Sequence, residues 1–384
     1  MNKFELTAPC HFGLEAVLKR EIYDLGYEIS KVEDGRVTFY GDAEAVCRAN
    51  IGLRTPERIL IKIAEFPAAT FDELYEGIRG ISWEDWIPAD GRFWVKKASS
   101  IRSALRSIPD LQSVMKKAMV DRMHQAYGIR SFPETGSEYP LRVFLNKDVA
   151  TVGLDTTGES LHRRGYRLLR SKAPIEETLA AALIGLTPWK PGRILADPFC
   201  GSGTFLIEAA MMAAGIAPGL HRSFLSGSWE NLIPASLWKD SYEEAQEQVT
   251  PQKEVLLYGS DIDPNVIRAA RQNAKRAGVE PMICWETCSA GKVSLPGTYG
   301  FLITNPPYGE RLEEKKRLPD LYREIGAAFA KLPTWSEYVI SAYADAERYI
   351  GKKAAKKRKI YNGMIKTDFY QFPGPRPPRQ QTAG

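Results

Sequence analysis

The sequence predicts an α/β protein in which the two halves of the chain follow different patterns. From Ala173 onward, short apolar strands alternate with helices, which is typical of a doubly wound, mostly parallel sheet. Near the end, the Asn-Gly pair within Ile360–Ile365 suits a type I′ turn, so an antiparallel terminal hairpin is expected on that sheet. Before residue 155 the pattern is α+β. A chain of 384 residues is long enough for two or three domains.

The spacing of apolar residues places the individual elements. The predicted helices are Phe12–Leu25, Leu111–Tyr127, Thr204–Ala214, Pro264–Ala277 and Leu318–Lys331. The predicted strands are Arg36–Tyr40, Leu141–Leu145, Ile194–Asp197, Val255–Ser260, Gly300–Thr304 and Tyr338–Ser341. We therefore expect four segments, which are residues 1–66, residues 67–155, a polar and arginine-rich linker over 156–172, and residues 173–384.

The composition argues against several classes of protein. Hydrophobic residues make up 44% of the chain and charged residues 26%, which fits packed cores rather than disorder. The net charge of +5 is compatible with nucleic-acid binding without arguing for it. Five cysteines without a Cys-x-x-Cys pair argue against disulfides and zinc, so no metal is expected. Because no signal sequence or membrane-spanning run is visible, we expect a soluble, cytoplasmic protein.

A glycine-rich turn separates the first strand of the C-terminal half from the helix that follows it. Ligands of open α/β sheets bind at the carboxyl ends of the strands, where glycines allow close approach of the backbone. The turn lacks the Gly-Lys-Ser/Thr ending of a P-loop, and Leu206 stands where a dinucleotide fingerprint needs a small residue. We predict that this turn holds a cofactor through Asp197, Phe199, Cys200, Gly201, Ser202, Gly203 and Thr204.

The end of the next predicted strand adds a second group of candidate cofactor contacts. Asp261 has the carboxylate that two ribose hydroxyls would need as an acceptor, and Ile262 is placed to pack on an adenine face. Asp263 is either a further contact or the N-cap of the helix that begins at Pro264. Both interpretations of Asp263 remain open.

The segment Asn305, Pro306, Pro307 and Tyr308 directly follows an apolar strand and is the candidate catalytic segment. An exocyclic base amine is a poor nucleophile because its lone pair is delocalised into the ring. The Asn305 side-chain carbonyl and a proline backbone carbonyl together accept its two protons and localise that lone pair. Tyr308 is suited to stacking on an extruded base. With the glycine turn, this segment indicates a methyltransferase that uses S-adenosylmethionine.

Other functions remain open on these residues alone. A DNA adenine-N6 methyltransferase uses the same four-residue segment, and guanine N2 is not distinguished from adenine N6. A pyrimidine C5 methyltransferase would need a cysteine nucleophile in the catalytic loop, whereas Cys200 lies in the cofactor turn. A non-catalytic RNA-binding factor for ribosome assembly, with a methyltransferase shell, is the alternative from a different class.

The motifs together resemble the THUMP-domain RNA methyltransferases, and among these the bacterial 23S ribosomal RNA guanine-N2 methyltransferases with a single methyltransferase domain. In the C-terminal half the resemblance rests on Ala173-Pro174, Asp-Pro-Phe-Cys-Gly-Ser-Gly-Thr (197–204), Gly-Ser-Asp-Ile-Asp (259–263) and Asn-Pro-Pro-Tyr-Gly-Glu-Arg-Leu (305–312). In the N-terminal half it rests on Ser103–Gln112, Met115–Ala118, Asp155–Gly158 and Arg163–Arg167.

This resemblance implies a domain order, a cofactor and a substrate. It implies a ferredoxin-like segment over 1–66, a THUMP RNA-binding domain over 67–155 and a Rossmann-like methyltransferase domain over 173–384. The implied cofactor is S-adenosylmethionine, with Ala173 and Pro174 among its contacts, and the implied partner is 23S ribosomal RNA or its precursor. The family usually has an acidic residue for the adenine amine after the third strand, whereas Ser289–Lys292 contains none. Either Ser289 or a neighbouring backbone group takes that role, or the affinity for the cofactor is lower, and the adenine contact stays unassigned.

Clusters of basic residues are the candidate phosphate contacts, because lysine and arginine supply most protein contacts to RNA backbones. The alternative for each of them is an ordinary solvated surface. The candidates are Arg102, Arg106, Lys116 and Lys117 in the THUMP-like part, and Arg163, Arg164 and Arg167 in the linker.

Overall fold

The computed structural model describes residues 3–167, 175–250, 254, 256–309 and 312–378, without the side chains of 312–315. The chain divides into two compact units. The first unit contains the chain up to Cys10, Lys19–Leu161 and Arg222–Glu244. The second unit contains His11–Leu18, His162–His221 and the chain from Ala245 onward.

The first unit is built on one mixed sheet of seven strands. The strands are β1 (Phe4–Pro9), β2 (Ile29–Glu33), β3 (Arg36–Gly41), β4 (Leu60–Pro67), β5 (Arg92–Ile101), β6 (Glu138–Asn146) and β7 (Val149–Asp155). Their order is β2-β3-β1-β4-β7-β6-β5, and only β5 and β6 run parallel. Because β4 pairs with β7, the strands of the first two expected segments form a single continuous sheet.

Four helices accompany these strands in the N-terminal part of the chain. They are α1 (Glu15–Asp24), α2 (Ala43–Gly52), α3 (Phe71–Arg79) and α4 (Ile108–Tyr127). A capping box between Thr70 and Glu73 begins α3, and Gly128, in the left-handed conformation, ends α4. The pattern expected from the sequence over residues 12–25, 36–40, 111–127 and 141–145 is therefore present, with ends shifted by a few residues.

The second unit is built on a mostly parallel sheet, also of seven strands. The strands are β8 (Leu195–Asp197), β9 (Leu257–Asp261), β10 (Ile283–Thr287), β11 (Phe301–Thr304), β12 (Ser336–Ser341), β13 (Lys356–Asn362) and β14 (Ile365–Phe372). Their order is β10-β9-β8-β11-β12-β14-β13. Strand β14 runs in the direction opposite to the other six, so it pairs antiparallel with both β12 and β13. The predicted α/β class and the antiparallel hairpin at residues 360–365 are confirmed. The predicted type I′ turn is wrong, because Asn362 pairs with Ile365 and the turn residues are Gly363 and Met364, of which only Gly363 has a positive φ, +60°.

Helices cover both faces of this second sheet. They are α5 (Glu177–Leu186), α6 (Thr204–Ala213), α8 (Pro264–Arg276), α9 (Leu312–Ala330) and α10 (Ala346–Ile350). Phe301 and Ile303 of β11 belong to one buried cluster with α6 and α8, whereas Leu302 belongs to another with α9. Because both faces are buried, the strand is a continuous apolar run. Within the described ranges, no helix is long and apolar enough to cross a membrane.

An excursion from the C-terminal half, Arg222–Glu244, belongs to the first unit and contains most of helix α7 (Ala235–Glu247). Trp229 is fully buried, stacks on Tyr139 at 4.9 Å between ring centroids, and donates to the Glu138 carbonyl at 2.8 Å. Glu244 makes a two-bond pair with Arg48, at 2.8 Å for each bond. The segment expected over 173–384 is thus interrupted, because its aromatic side chains are buried against the first unit.

Candidate cofactor and catalytic site

The candidate site is a cavity of about 520 Å³ at the carboxyl ends of β8, β9 and β11 in the second unit. The predicted residues that line it are Asp197, Phe199, Cys200, Gly201, Ser202, Thr204, Asp261, Ile262, Asn305, Pro306, Pro307 and Tyr308. Ser289, one of the alternatives for the adenine contact, also lines it. Further lining residues, not predicted as contacts from the sequence, are Ile175, Pro198, Phe205, Val266, Ala290, Gly309, Leu321 and Glu324. The glycine turn and the catalytic segment therefore face one cavity.

The glycine turn needs its two glycines for different reasons. Gly201 lines the cavity with a φ of +52°, a backbone conformation that favours glycine. Gly203 has a φ of +82°, and a Cβ there would lie 2.8 Å from the Trp285 ring. Gly203 therefore allows the turn to pack closely on Trp285, which a larger residue would prevent. The Ser202 carbonyl accepts a hydrogen bond from the Asn273 side chain at 3.1 Å.

Asp197 joins the glycine turn to the strand that carries the catalytic segment. Its Oδ1 accepts hydrogen bonds from the Thr304 hydroxyl at 2.6 Å and from the Phe199 backbone N–H at 3.1 Å. Burial raises the pKa of Asp197 from 3.8 to about 7, and the nearby Asp261 carboxylate adds to the rise. The side chain thus accepts from both the glycine turn and β11, and burial disfavours its ionised form.

Asp261 is the last residue of β9, and its carboxylate accepts hydrogen bonds from two backbone N–H groups. Its Oδ2 accepts from the Gly201 N–H at 3.2 Å, and its Oδ1 accepts from the Asp263 N–H at 3.0 Å. Ile262 is 73% exposed although it lines the cavity, which leaves an apolar surface for a ligand. Asp263 accepts from the Asn265 N–H at 2.8 Å as the N-cap of α8 and is absent from the lining. Of its two interpretations, the geometry supports the cap.

Asn305 presents an unused acceptor at the cavity. Its side-chain oxygen Oδ1 is buried and has no hydrogen-bond partner among the residues that the structure describes. A buried polar atom without a partner is costly, and such atoms are typical of functional sites. Tyr308 is held by the Asn362 amide of the terminal hairpin, which donates to the tyrosine oxygen at 2.9 Å. The arrangement can accept the protons of an amine and can stack a flat ring.

Three family models match the chain, and together they account for most of its length. The model of the RlmL ferredoxin-like domain matches residues 5–60, and that of the THUMP domain matches residues 68–155. The model of the RMKL-like methyltransferase domain matches residues 164–371. The chain belongs to this THUMP-containing methyltransferase family. The resemblance stated from the motifs is confirmed, and so is S-adenosylmethionine as the cofactor.

Relatives of similar length support the assignment to the methyltransferase family. The Bacillus subtilis (strain 168) protein named "Putative RNA methyltransferase YpsC" is 44% identical over 385 residues, which is 100% of this chain and 99% of that protein. A possible methylase from Clostridium difficile 630 is 49% identical with a TM-score of 0.94, covering 98% of this chain and all of its own. SMU.472, solved as a complex with SAH, is 40% identical with a TM-score of 0.91, over 98% of this chain and 100% of its own.

Two of the predicted phosphate contacts of this methyltransferase lie inside the second unit. The side chains of Arg164 and Glu208 are 1% and 0% exposed and approach to 3.5 Å. Arg167 donates to the Thr204 hydroxyl at 2.7 Å and pairs with Glu177 at 3.2 Å. The prediction that Arg164 and Arg167 contact phosphates is therefore wrong. Their guanidinium groups interact with Glu208, Glu177 and Thr204 inside the protein.

The other predicted phosphate contacts differ in how accessible they are. Arg102, Arg106, Lys117 and Arg163 are exposed. Lys116 is half-buried, donates to the Phe93 carbonyl at 2.5 Å, and has its ammonium 3.9 Å from the centre of the Phe93 ring. It is therefore the weakest candidate of the four in the THUMP domain. The predicted cofactor contacts Ala173 and Pro174 lie outside the described residues.

The Cys200 thiol lines the cavity but is unsuited to nucleophilic attack. It is 5% exposed, and burial raises its pKa well above the ordinary value, with the Asp197 and Asp261 carboxylates adding to the rise. A thiol attacks as the thiolate, so a raised pKa disfavours that chemistry. This geometry argues against the pyrimidine C5 alternative.

Substituting Asp197 tests its raised pKa through the pH dependence of stability. The pKa is about 7 in the folded protein and 3.8 ordinarily, so the folded state binds the proton more tightly. Stability is therefore lost as the pH rises from about 4 to about 7. Asp197→Asn keeps the Oδ1 acceptor without titrating. Between pH 4 and pH 8 we expect the wild-type free energy of unfolding to fall by about 2–4 kcal/mol relative to this variant, in urea titrations.

For this measurement Asp320→Asn is the matched control, because the Asp320 side chain is 82% exposed. Its profile should follow that of the wild type. Parallel profiles for the wild type and Asp197→Asn would show that Asp197 is ionised at no cost to the fold.

Substituting Arg164 tests whether it is structural. Arg164→Met leaves the buried Glu208 without its ion-pair partner, which should lower the free energy of unfolding by about 3–5 kcal/mol. The exposed neighbour Arg163 is the matched control, and Arg163→Met should change stability by less than about 1 kcal/mol. Unchanged stability of Arg164→Met together with weaker RNA binding would restore Arg164 as a phosphate contact.

Proposed function

We propose that this protein methylates an exocyclic base nitrogen of structured RNA, and that the target is guanine N2 of 23S ribosomal RNA or its precursor. The observation that carries the proposal is the buried, unpartnered Oδ1 of Asn305 at a cavity that also contains the cofactor turn. When bound, S-adenosylmethionine supplies the electrophilic methyl group. The residues of the chain bind the two reactants, orient them and accept hydrogen bonds from the target amine.

The proposed roles of the catalytic segment follow from its contacts. Asn305 Oδ1 accepts a hydrogen bond from one N–H of the target amine, and the Pro306 carbonyl accepts one from the other N–H, which directs the nitrogen lone pair toward the cofactor. After the methyl group has been transferred, the nitrogen releases one proton to solvent. Pro306 and Pro307 restrict the backbone and keep both acceptors in place. Tyr308, held by Asn362 at 2.9 Å, stacks on the extruded base.

The proposed cofactor contacts divide along the sheet edge. Gly201 and Ser202 bring the backbone of the turn close to the methionine part, beside the N-terminus of α6. Asp261 accepts from the ribose hydroxyls with its remaining acceptor capacity. Ile262, which is 73% exposed, packs on the adenine face.

RNA is the proposed substrate because of the N-terminal half of the chain. The THUMP match over residues 68–155 and the name of the Bacillus subtilis relative both point to RNA. The choice of guanine N2 rests on the resemblance of the motifs to the ribosomal guanine-N2 enzymes. A second candidate is adenine N6, since a Listeria monocytogenes relative, 44% identical with a TM-score of 0.91 and matching 98% of this chain and 97% of its own, is described as a predicted N6-adenine-specific DNA methylase.

Replacing Asn305 tests the catalytic proposal. Asn305→Ala removes one of two acceptors used in the transition state, so kcat should fall by roughly 10²–10³-fold. Affinity for S-adenosylhomocysteine should stay within about twofold, because the cofactor does not use this acceptor. Transfer of tritiated methyl groups to ribosomal RNA and calorimetric titration measure the two effects. Asn265→Ala on the surface of α8 is the control, and a kcat for Asn305→Ala equal to that of the control would contradict the proposal.

Mass spectrometry of the methylated nucleosides identifies the target. Ribosomal RNA from cells that lack the gene, treated with the purified protein, should gain N2-methylguanosine. A gain of N6-methyladenosine would support the second candidate instead. Methylation of duplex DNA in preference to RNA would overturn the choice of RNA, while leaving the methyltransferase activity intact.

The proposed RNA footprint includes the loop between β5 and α4. Arg102 and Arg106 are exposed on it. The loop is fixed by hydrogen bonds from the Ala104 N–H to the Asp148 side chain at 2.6 Å and from the Asp148 N–H to the Ser103 hydroxyl at 3.0 Å. A fixed loop loses little entropy when its arginines meet phosphates.

Neutralising both arginines tests this footprint. Arg102→Gln with Arg106→Gln should weaken RNA binding at low salt and reduce the slope of log K against log salt by about 2, since two phosphate contacts are lost. Filter binding across a salt series gives the slope. Lys239→Gln is the control, because Lys239 is 75% exposed and lies on α7 outside this loop. Equal slopes for all three proteins would remove the loop from the footprint.

A further inference from the structure

Among the residues that the structure describes, three carboxylate side chains line the cavity, and each belongs to a different position along the sheet edge. Asp197 ends β8 and Asp261 ends β9. Glu324 comes from helix α9 and contacts the turn Ala290–Lys292, which follows β10. Strands β8, β9 and β10 are consecutive neighbours in the sheet, about 4.8 Å apart at each step. The three carboxylates therefore form a row along the sheet edge.

Glu324 accepts fewer hydrogen bonds from the protein than the other two carboxylates do. Asp197 and Asp261 each accept two hydrogen bonds from their own surroundings. Glu324 accepts through Oε1 from the Gly291 N–H at 3.0 Å. In the parts of the chain that the structure covers, its second oxygen, Oε2, makes no hydrogen bond, although the residue lines the cavity. A carboxylate oxygen with spare capacity is an acceptor for a donor on the ligand.

The approach of Glu324 to the turn depends on a glycine. A Cβ on Gly291 would lie 2.8 Å from Cγ and 2.9 Å from Oε1 of Glu324, so a larger residue would displace the side chain. The carbonyl of Gly291 accepts from the ammonium of Lys331, the residue that follows α9, at 2.7 Å. The turn is therefore held by one contact from α9 and by a second from the residue directly after it.

S-adenosylmethionine carries three groups of donors in a linear order, which are the methionine ammonium, the ribose hydroxyls and the adenine amine. With the ribose at Asp261 and the methionine part at the turn after Asp197, the adenine would be held beside Ile262 and Ala290, which line the cavity at the Glu324 end of the row. We propose that Glu324 accepts a hydrogen bond from the exocyclic amine of the cofactor adenine. This inference rests on the cofactor contacts assigned in the proposed function.

The proposal predicts that Glu324 discriminates between two ligands that differ only in the base. S-inosylhomocysteine has a carbonyl oxygen where S-adenosylhomocysteine has the amine. The wild-type protein should bind S-adenosylhomocysteine at least about tenfold more tightly than S-inosylhomocysteine. The inosine ligand lacks the amine that would donate to the Glu324 carboxylate. Glu324→Gln offers an amide donor to the inosine carbonyl. Calorimetric titration should show this preference fall to near unity or reverse.

Control variants separate recognition from a structural role. Asp320→Asn, one turn earlier on α9 with a side chain 82% exposed, should keep the wild-type preference. Gly291→Ala, which displaces the Glu324 side chain, should reduce the preference as Glu324→Gln does. An equal loss of affinity for both ligands in Glu324→Gln would overturn the proposal and leave Glu324 as a support for the turn, and so would an unchanged preference. Binding of neither ligand by the wild-type protein would overturn the cofactor assignment itself.

Discussion

The site depends on one buried acceptor, the Oδ1 of Asp197. It receives the Phe199 N–H from the glycine turn and the Thr304 hydroxyl from the end of β11. Thr304 directly precedes Asn305. A single carboxylate oxygen therefore links the glycine turn to the candidate catalytic segment. Burial raises the pKa of this group to about 7, which means that the protein places a costly charge there. An Asn side chain of the same shape would keep the Oδ1 acceptor for both contacts without carrying a charge.

The sheet order explains why these residues meet although they are distant in sequence. Strand β8 lies between β9 and β11, so the turn after it is flanked by Asp261 on one side and by Asn305 on the other. Helices α6 and α8 pack on one face of the sheet, and α9 packs on the other. The cavity at the sheet edge therefore receives side chains from both helical layers, which is how Glu324 and Val266 reach the same space.

Local patterns in the sequence predict the second sheet well because its signals are local. The strand ends at Asp197 and Asp261 and the presence of the terminal hairpin follow from apolar runs and turn chemistry, although the turn itself is centred on Gly363 and Met364. Contacts across the fold have no such signal. Glu324 lies on an amphipathic helix whose start was expected at Leu318, whereas α9 begins at Leu312 with Pro319 inside it. Nothing near it in the sequence marks it as part of the site. The sequence does show that Ser289–Lys292 lacks the usual acidic acceptor for the adenine amine. That absence does not indicate which residue elsewhere in the chain takes its place.

The arginine-rich linker shows why charge alone is a poor guide to a nucleic-acid interface. Arg167 reaches the first residue of α6 through the Thr204 hydroxyl and the start of α5 through the Ile175 carbonyl. Its partner Glu177 is buried enough to have its pKa raised to about 7, even with the arginine beside it. Arg164 is enclosed with Glu208 in the same unit. These arginines neutralise buried acids around the helices that carry the cofactor turn. Arg102 and Arg106, in contrast, are exposed, so their guanidinium groups are accessible to an anionic partner.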